Sequence, residues 1–275
     1  MLTTGHNLLK SELKEMLRSL SFWLGSVVTA ILMGTQGFLP KDSKGYSMKN
    51  IWEALFSERK LPTEDSLVTL ITTGHMGVYT YFIPLLASFC YLAFQVQYRS
   101  FGFERIVKIR LSKKTYRFGS YVVALLIGGI TLTVGHFLYV IAVSVIAGVK
   151  FGLFLDWSCV LYILRSALEA FLAGMFWNSL VYVLLHLVRN IYLLGTLPFL
   201  LKYAWGCIEN LIFLNMGSPT ERMMDLVRIL DDNGIYLMFS LGKKGIFILF
   251  LLMVCLCINY QVAKILERRQ IDYGM

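Results

Sequence analysis

Residues 118–149 read FGSYVVALLIGGITLTVGHFLYVIAVSVIAGV, a run without Asp, Glu, Lys or Arg. The hydrocarbon core of a bilayer is about 30 Å thick, and about 20 apolar helical residues cross it. This run exceeds that length. It also lacks the period-two alternation of a membrane barrel strand. Outward from it, the other charge-free stretches are 19–40, 66–98, 170–188, 190–201 and 245–263. All but 190–201 suffice alone or nearly so, and that one reaches span length by continuing past Lys202 to about Leu214. The sequence therefore predicts an all-α, polytopic membrane protein with six transmembrane helices. They fall at about 20–39, 76–97, 119–148, 160–188, 190–213 and 245–263, and residues 1–275 read as a single transmembrane domain.

Composition agrees. Of 275 residues, 57% are hydrophobic and 16% charged, against roughly 45–50% and 25% in soluble proteins. A water-soluble core cannot hide that much apolar surface, and the same figures exclude disorder and collagen. The five cysteines (Cys90, Cys159, Cys207, Cys255, Cys257) have no CxxC spacing. They read as buried thiols packing as small hydrophobes, not as a disulfide framework or metal site. The first apolar run exceeds a signal-peptide core and has no small-x-small cleavage site, so it reads as a retained span.

Lys and Arg set the orientation. With six spans both termini share one face. That face carries residues 1–18, the loop 98–118, Arg189 and the tail from Lys264, with 14 basic and 5 acidic residues. Everything else carries 12 of each, so the whole formal charge of +9 lies on one side. This side is the cytoplasm of a cell membrane, and both termini are expected there. Topology explains the basic balance, and nucleic-acid binding is not needed to account for it.

The connections differ in character. In residues 1–18, Leu9, Leu13, Met16, Leu17 and Leu20 recur at helical steps with Lys10, Lys14 and Arg18 off the stripe. That pattern suits an interfacial helix lying on membrane lipid. Residues 40–75 form a polar outer loop with five basic and five acidic residues. In 215–243, Ser218-Pro219-Thr220-Glu221 opens a helix as a capping box with Pro at its first position. Met223, Leu226, Val227 and Leu230 give it an apolar stripe, and Asp231-Asp232-Asn233-Gly234 ends it. A short outer amphipathic helix before the last span is expected there.

Loop 98–118 carries the functional signal. Seven basic residues and one acid are interleaved with Phe101, Phe103, Ile106, Val107, Ile109 and Leu111. Topology alone asks for Lys and Arg but not for the apolar set. A short helix that docks into a partner's groove asks for both; a loop drawn to anionic lipid is the plainer alternative.

Catalytic motifs are missing. There is no GxxxxGK[ST], GxSxG or HExxH, and His6, His75, His136 and His186 are scattered. His136 reads as a satisfied core histidine. The chain is therefore expected to be non-catalytic, with no cofactor or metal of its own. Charged and polar residues do fall inside spans. Arg165 and Glu169 share a face of the fourth, Lys202 and Glu209 share a face of the fifth, and Asn178 sits in the fourth. A lone charge at the bilayer centre costs about 2.5–3.5 kcal/mol. These groups therefore read either as a polar translocation path or as structural pairs near an interface. Ala167, Ala170 and Gly174 give the fourth span a small-residue side for close helix approach.

At loop 98–118 the chain resembles the permease subunits of type-two ABC exporters. The residues are Gly102, Glu104, Arg110, Ser112, Lys113 and Lys114, and the layout matches over nearly the whole chain. The family order places the Glu before the Gly and often includes a Pro; here Glu104 follows Gly102 and the Pro is absent. The small size resembles bacterial permeases for drugs, bacteriocins and other peptides. The resemblance implies a cytoplasmic ABC ATPase dimer as partner, with ATP and Mg bound there, and a second permease chain completing the path. It makes Phe101, Gly102, Phe103, Glu104, Arg105, Ile106, Lys108 and Arg110 the ATPase-coupling residues. The competing readings are an ion-coupled carrier or channel, using Arg165, Glu169, Lys202 and Glu209, and a non-transporting immunity or sensor protein.

Overall fold

The computed structural model describes residues 2–34, 67–68, 71, 78–100, 112–151, 155–188, 190–216 and 243–272. Among them lie seven helices and no strand: α1 Leu2–Arg18, α2 Leu20–Gly34, α3 Val78–Ser100, α4 Lys113–Phe151, α5 Trp157–Leu184, α6 Ile191–Met216 and α7 Lys243–Asp272. Helices stand at all six expected spans, but α4 begins six residues before the expected 119 and α7 continues nine beyond the expected 263, because helix persists past the apolar run into the charged flanks. The expected outer helix opening at Ser218 lies outside the described residues.

Among the described residues three helices are long and apolar enough to cross a membrane, over Lys113–Val149, Cys159–Leu184 and Leu249–Glu267. A fourth is obtained if Lys10–Arg18 and Leu20–Gly34 form one segment bent by 65°. α3 and α6 contain shorter apolar segments, Phe82–Val96 and Ile191–Ala204. The described residues are thus all-helical, with helices suited to a membrane protein. At 1.5 Å per residue the 39 residues of α4 extend about 58 Å, so α4 outruns the hydrocarbon core.

The bend falls at Ser19. Its backbone N–H and hydroxyl both donate to the Met16 carbonyl, and its Oγ accepts from Phe22 N–H at 3.3 Å. One serine therefore closes α1 and caps α2. Trp23 Nε1 donates across the corner to the Leu17 carbonyl at 2.9 Å. α1 packs on α4 through Glu12, Leu13 and Met16, while Leu17 and Leu20 are exposed. Of the expected stripe, Leu13 and Met16 thus face the bundle and Leu17 and Leu20 face outward, while Glu12, off the stripe, is buried.

α4 is the central element, packed most broadly on α5 and on its other side on α2. Glycines allow both approaches. A Cβ on Gly128 or on Gly174 would strike the other's backbone, so α4 and α5 touch main chain to main chain. Two turns on, a Cβ on Gly135 would lie 2.6 Å from Thr29 and 2.8 Å from the Ser26 carbonyl of α2. Ser26 Oγ in turn donates to the Thr131 carbonyl at 3.3 Å. Small residues exchange side-chain bulk for backbone contact, which is how helices associate in lipid.

α3 touches α2, α4, α5 and α6, and α7 packs along α5. α3 and α6 each carry a proline inside the helix, Pro84 and Pro198. Phe82 stacks on Phe199 at 5.6 Å, and Ser88 Oγ donates to the Gly195 carbonyl at 3.3 Å. These contacts bracket the two prolines, so both stand at one level of the pair. Asp156 caps α5 by accepting from Cys159 N–H at 2.8 Å, and Asn190 caps α6 by accepting from Tyr192 N–H at 2.9 Å.

Candidate functional site

Phe101, Gly102, Phe103, Glu104, Arg105, Ile106, Lys108 and Arg110 lie outside the described residues. What the structure describes is the entry from their loop into α4. Ser112 caps that helix: its Oγ accepts from Thr115 N–H at 3.2 Å and sits 2.7 Å from Thr115 Oγ1. From Lys113 the helix runs unbroken to Phe151.

One turn into α4, Arg117 forms an ion pair with Glu267 of α7 through Nε and Oε2. The Arg117 side chain is 8% exposed and that of Glu267 29%. Such a pair ranks between an exposed bridge, worth about 0–1 kcal/mol, and a fully buried one, whose breakage costs about 3–5 kcal/mol. Tyr182 O–H of α5 donates to the Arg117 carbonyl at 3.4 Å. Tyr121, a further turn along, donates to the Leu256 carbonyl of α7 at 2.7 Å. Its ring packs on Tyr182 at 5.2 Å and Tyr260 at 5.3 Å, and Phe118 meets Tyr260 edge-on at 6.0 Å. The ends of α4, α5 and α7 are therefore joined by one ion pair, two phenol–carbonyl bonds and an aromatic cluster.

Sequence reasoning missed this junction. Arg117 was one of seven basic residues in a loop, and Glu267 one acid in a basic tail. The available signal was spacing: Arg117 and Tyr121 stand four apart on α4, and Tyr260 and Glu267 seven apart on α7, so each couple shares a helix face.

Within the apolar part of the bundle, Arg165 Nε donates to Glu169 Oε1 at 3.2 Å along α5. The Glu169 side chain is 4% exposed and that of Arg165 35%. The carboxylate is thus inside the bundle, and the guanidinium leads from it to the surface. Asn178 is buried where α4 crosses α5; its Nδ2 donates to the Ala124 carbonyl at 2.9 Å. Its Oδ1 has no hydrogen-bond partner among the described residues. Lys202 is half-buried on α6, and Glu209 lies on the same helix. The structure thus joins Arg165 to Glu169 and sets Asn178 in a helix crossing; it places Lys202 and Glu209 on a different helix from these three.

His136 lies between α4 and α5 with Nε2 3.3 Å from both the Ile163 carbonyl and Ser166 Oγ. Those contacts are those of a satisfied core histidine. Among the described residues no group of His, Cys, Asp and Glu is placed to hold a metal ion. All five cysteines are free thiols; Cys90 and Cys159 are buried, whereas Cys207 and Cys257 are exposed. The exposed pair departs from the expected burial because their helix faces turn away from the bundle.

Compared with protein-family models and with curated proteins, the chain matches none.

Proposed function

We propose that the chain is the membrane-spanning subunit of an ATP-driven exporter. In this reading it crosses the cell membrane six times with both termini in the cytoplasm, and pairs with a second permease chain. A separate cytoplasmic ATPase dimer powers it, binding ATP and Mg. The cargo is a drug, a peptide or another amphipathic molecule. The chain itself performs no catalysis.

The observation that carries the reading is loop 98–118, where seven basic residues are interleaved with bulky apolar ones; with six spans the loop falls on the face that holds the whole net charge. A partner that docks there gains apolar burial and charge pairing together. The loop also lies between two long helices, α3 ending at Ser100 and α4 starting at Lys113. A push on it is therefore a push on helix ends. The test is co-expression with an ABC ATPase, which this reading expects to be encoded beside the gene. Co-purification and ATP-dependent export support the reading; a chain that stays alone and transports nothing overturns it.

A second reading, an ion-coupled carrier, is favoured by the Glu169 carboxylate held inside the bundle by Arg165. An intramembrane ionisable pair is a recurrent mark of an ion pathway. Transport by the isolated chain in liposomes, with no ATPase present, selects this reading. A non-transporting immunity or sensor role is selected if neither preparation moves cargo while partner binding persists.

A further inference from the structure

We infer that Arg117 and Glu267 form a releasable latch that fixes the tail of α7 against the first turns of α4. The two residues are 150 positions apart in sequence, so only the tertiary arrangement brings them together. On α4 the latch lies one turn from Tyr121, whose phenol holds the Leu256 carbonyl. On α7 the two attachments, Leu256 and Glu267, are eleven residues apart, about 16 Å along a helix axis. The Tyr121 attachment is buried in the aromatic cluster with Tyr182 and Tyr260. The Arg117 attachment is a charge pair with one partner partly exposed. Water and ions reach the second attachment from the Glu267 side but do not reach the first, where Tyr121 is buried. Between the two, Tyr260 packs on Phe118 and Tyr121 and Ala263 is buried, so the α7 tail beyond Ala263 is a lever, fixed at the aromatic cluster and held or released at Arg117.

The same end of α4 is the one that Ser112 joins to the basic loop. Because α4 is helical from Lys113 onward, a displacement of its first turn is carried along the helix to Arg117. That an ATPase supplies the displacement rests on the function proposed above; the latch itself does not.

The test is amide hydrogen exchange on the full chain in lipid nanodiscs, at low salt and at about 1 M salt, where the screening length falls to about 3 Å. Exchange in residues 264–272 is expected to rise about threefold or more with salt in the wild type, as local opening is released. In Arg117→Gln and Glu267→Gln it is expected to be already high at low salt and no longer salt-sensitive. The charge-exchanged double variant, Arg117→Glu with Glu267→Arg, is expected to recover protection and salt response. Peptides holding Gly128 and Gly174 serve as the internal control and stay protected. Should Arg117→Gln fail to accumulate, Glu267→Gln, at the more exposed partner, gives the same comparison. A tail whose exchange ignores both salt and the single substitutions overturns the latch. So does a salt response that survives in the variants, or a lowered melting temperature with tail exchange unchanged. Failure to capture any ATPase refutes the exporter reading and leaves these exchange results standing, so the two failures are separable.

Discussion

Gly128 of α4 and Gly174 of α5 meet with their main chains in direct contact, each occupying the space a side chain on the other would need. No rotamer change relieves such a clash, because backbone is on both sides. Gly128→Ala and Gly174→Ala are each expected to destabilise the protein by about 1–3 kcal/mol, the usual cost of overpacking. Gly195→Ala is the contrast: its added methyl meets Leu92 Cδ1 at 3.6 Å, an ordinary contact. There the helix propensity of alanine makes the change neutral to stabilising by up to about 1 kcal/mol. Thermal unfolding in one detergent, read by tryptophan fluorescence, separates the two outcomes.

Asn178 contributes one interhelical hydrogen bond, to the Ala124 carbonyl. Such bonds average about 0.6 kcal/mol in membrane bundles and reach about 1.7 kcal/mol. Asn178→Ala is expected to lose an amount in that range. A double-mutant cycle with Gly128→Ala is expected to be non-additive, since Asn178 Nδ2 lies 2.5 Å from where the Gly128 methyl would sit. Additive losses would show that the two sites do not share a packing contact.

The Arg165–Glu169 pair is asymmetric in burial, and the asymmetry predicts unequal mutant costs. Arg165→Gln strands a buried carboxylate and is expected to cost about 3 kcal/mol. Glu169→Gln leaves a guanidinium whose long stem already reaches the surface, and is expected to cost about 1 kcal/mol or less. Equal melting shifts for the two variants would contradict the burial argument.

The proposed orientation places residue 105 in the cytoplasm. A cysteine at that position (Arg105→Cys) is expected to react with an impermeant maleimide only in inverted vesicles. Labelling from outside intact cells would reverse the topology and remove the ATPase from the picture.

Phe101→Asp combined with Phe103→Asp replaces two of the loop's apolar residues with charge. If those residues seat on an ATPase, transport is expected to fall at least about tenfold, which is about 1.4 kcal/mol of coupling, while ATP hydrolysis continues. Unchanged transport would move the docking surface elsewhere.

Much of the scaffold was legible because its signals are one-dimensional. A long charge-free run reports a buried or lipid-facing helix regardless of its neighbours, so α4, α5 and α7 could be placed from residue order alone. Ala167, Ala170 and Gly174 announced a close approach because small residues at helical spacing leave a groove. The partner of that groove, Gly128, was not identifiable, since Gly128, Gly129 and Gly135 look alike in sequence and differ only in which helix crosses them. Ser19 was overlooked for the opposite reason: one hydroxyl in an apolar run carries no periodic signal, yet it turns the chain by 65°. The Arg117–Glu267 pair required knowing that α4 and α7 end side by side, which no local pattern encodes.

The paired prolines of α3 and α6 divide the molecule mechanically. Each removes an amide donor and crowds the preceding turn, so both helices are weakened at one height where Phe82 faces Phe199. α4 and α5, interlocked through glycine, have no such weak point and form the stiff spine. Bending is therefore cheapest in the α3–α6 half, as a door folds at its hinge line and not in its frame.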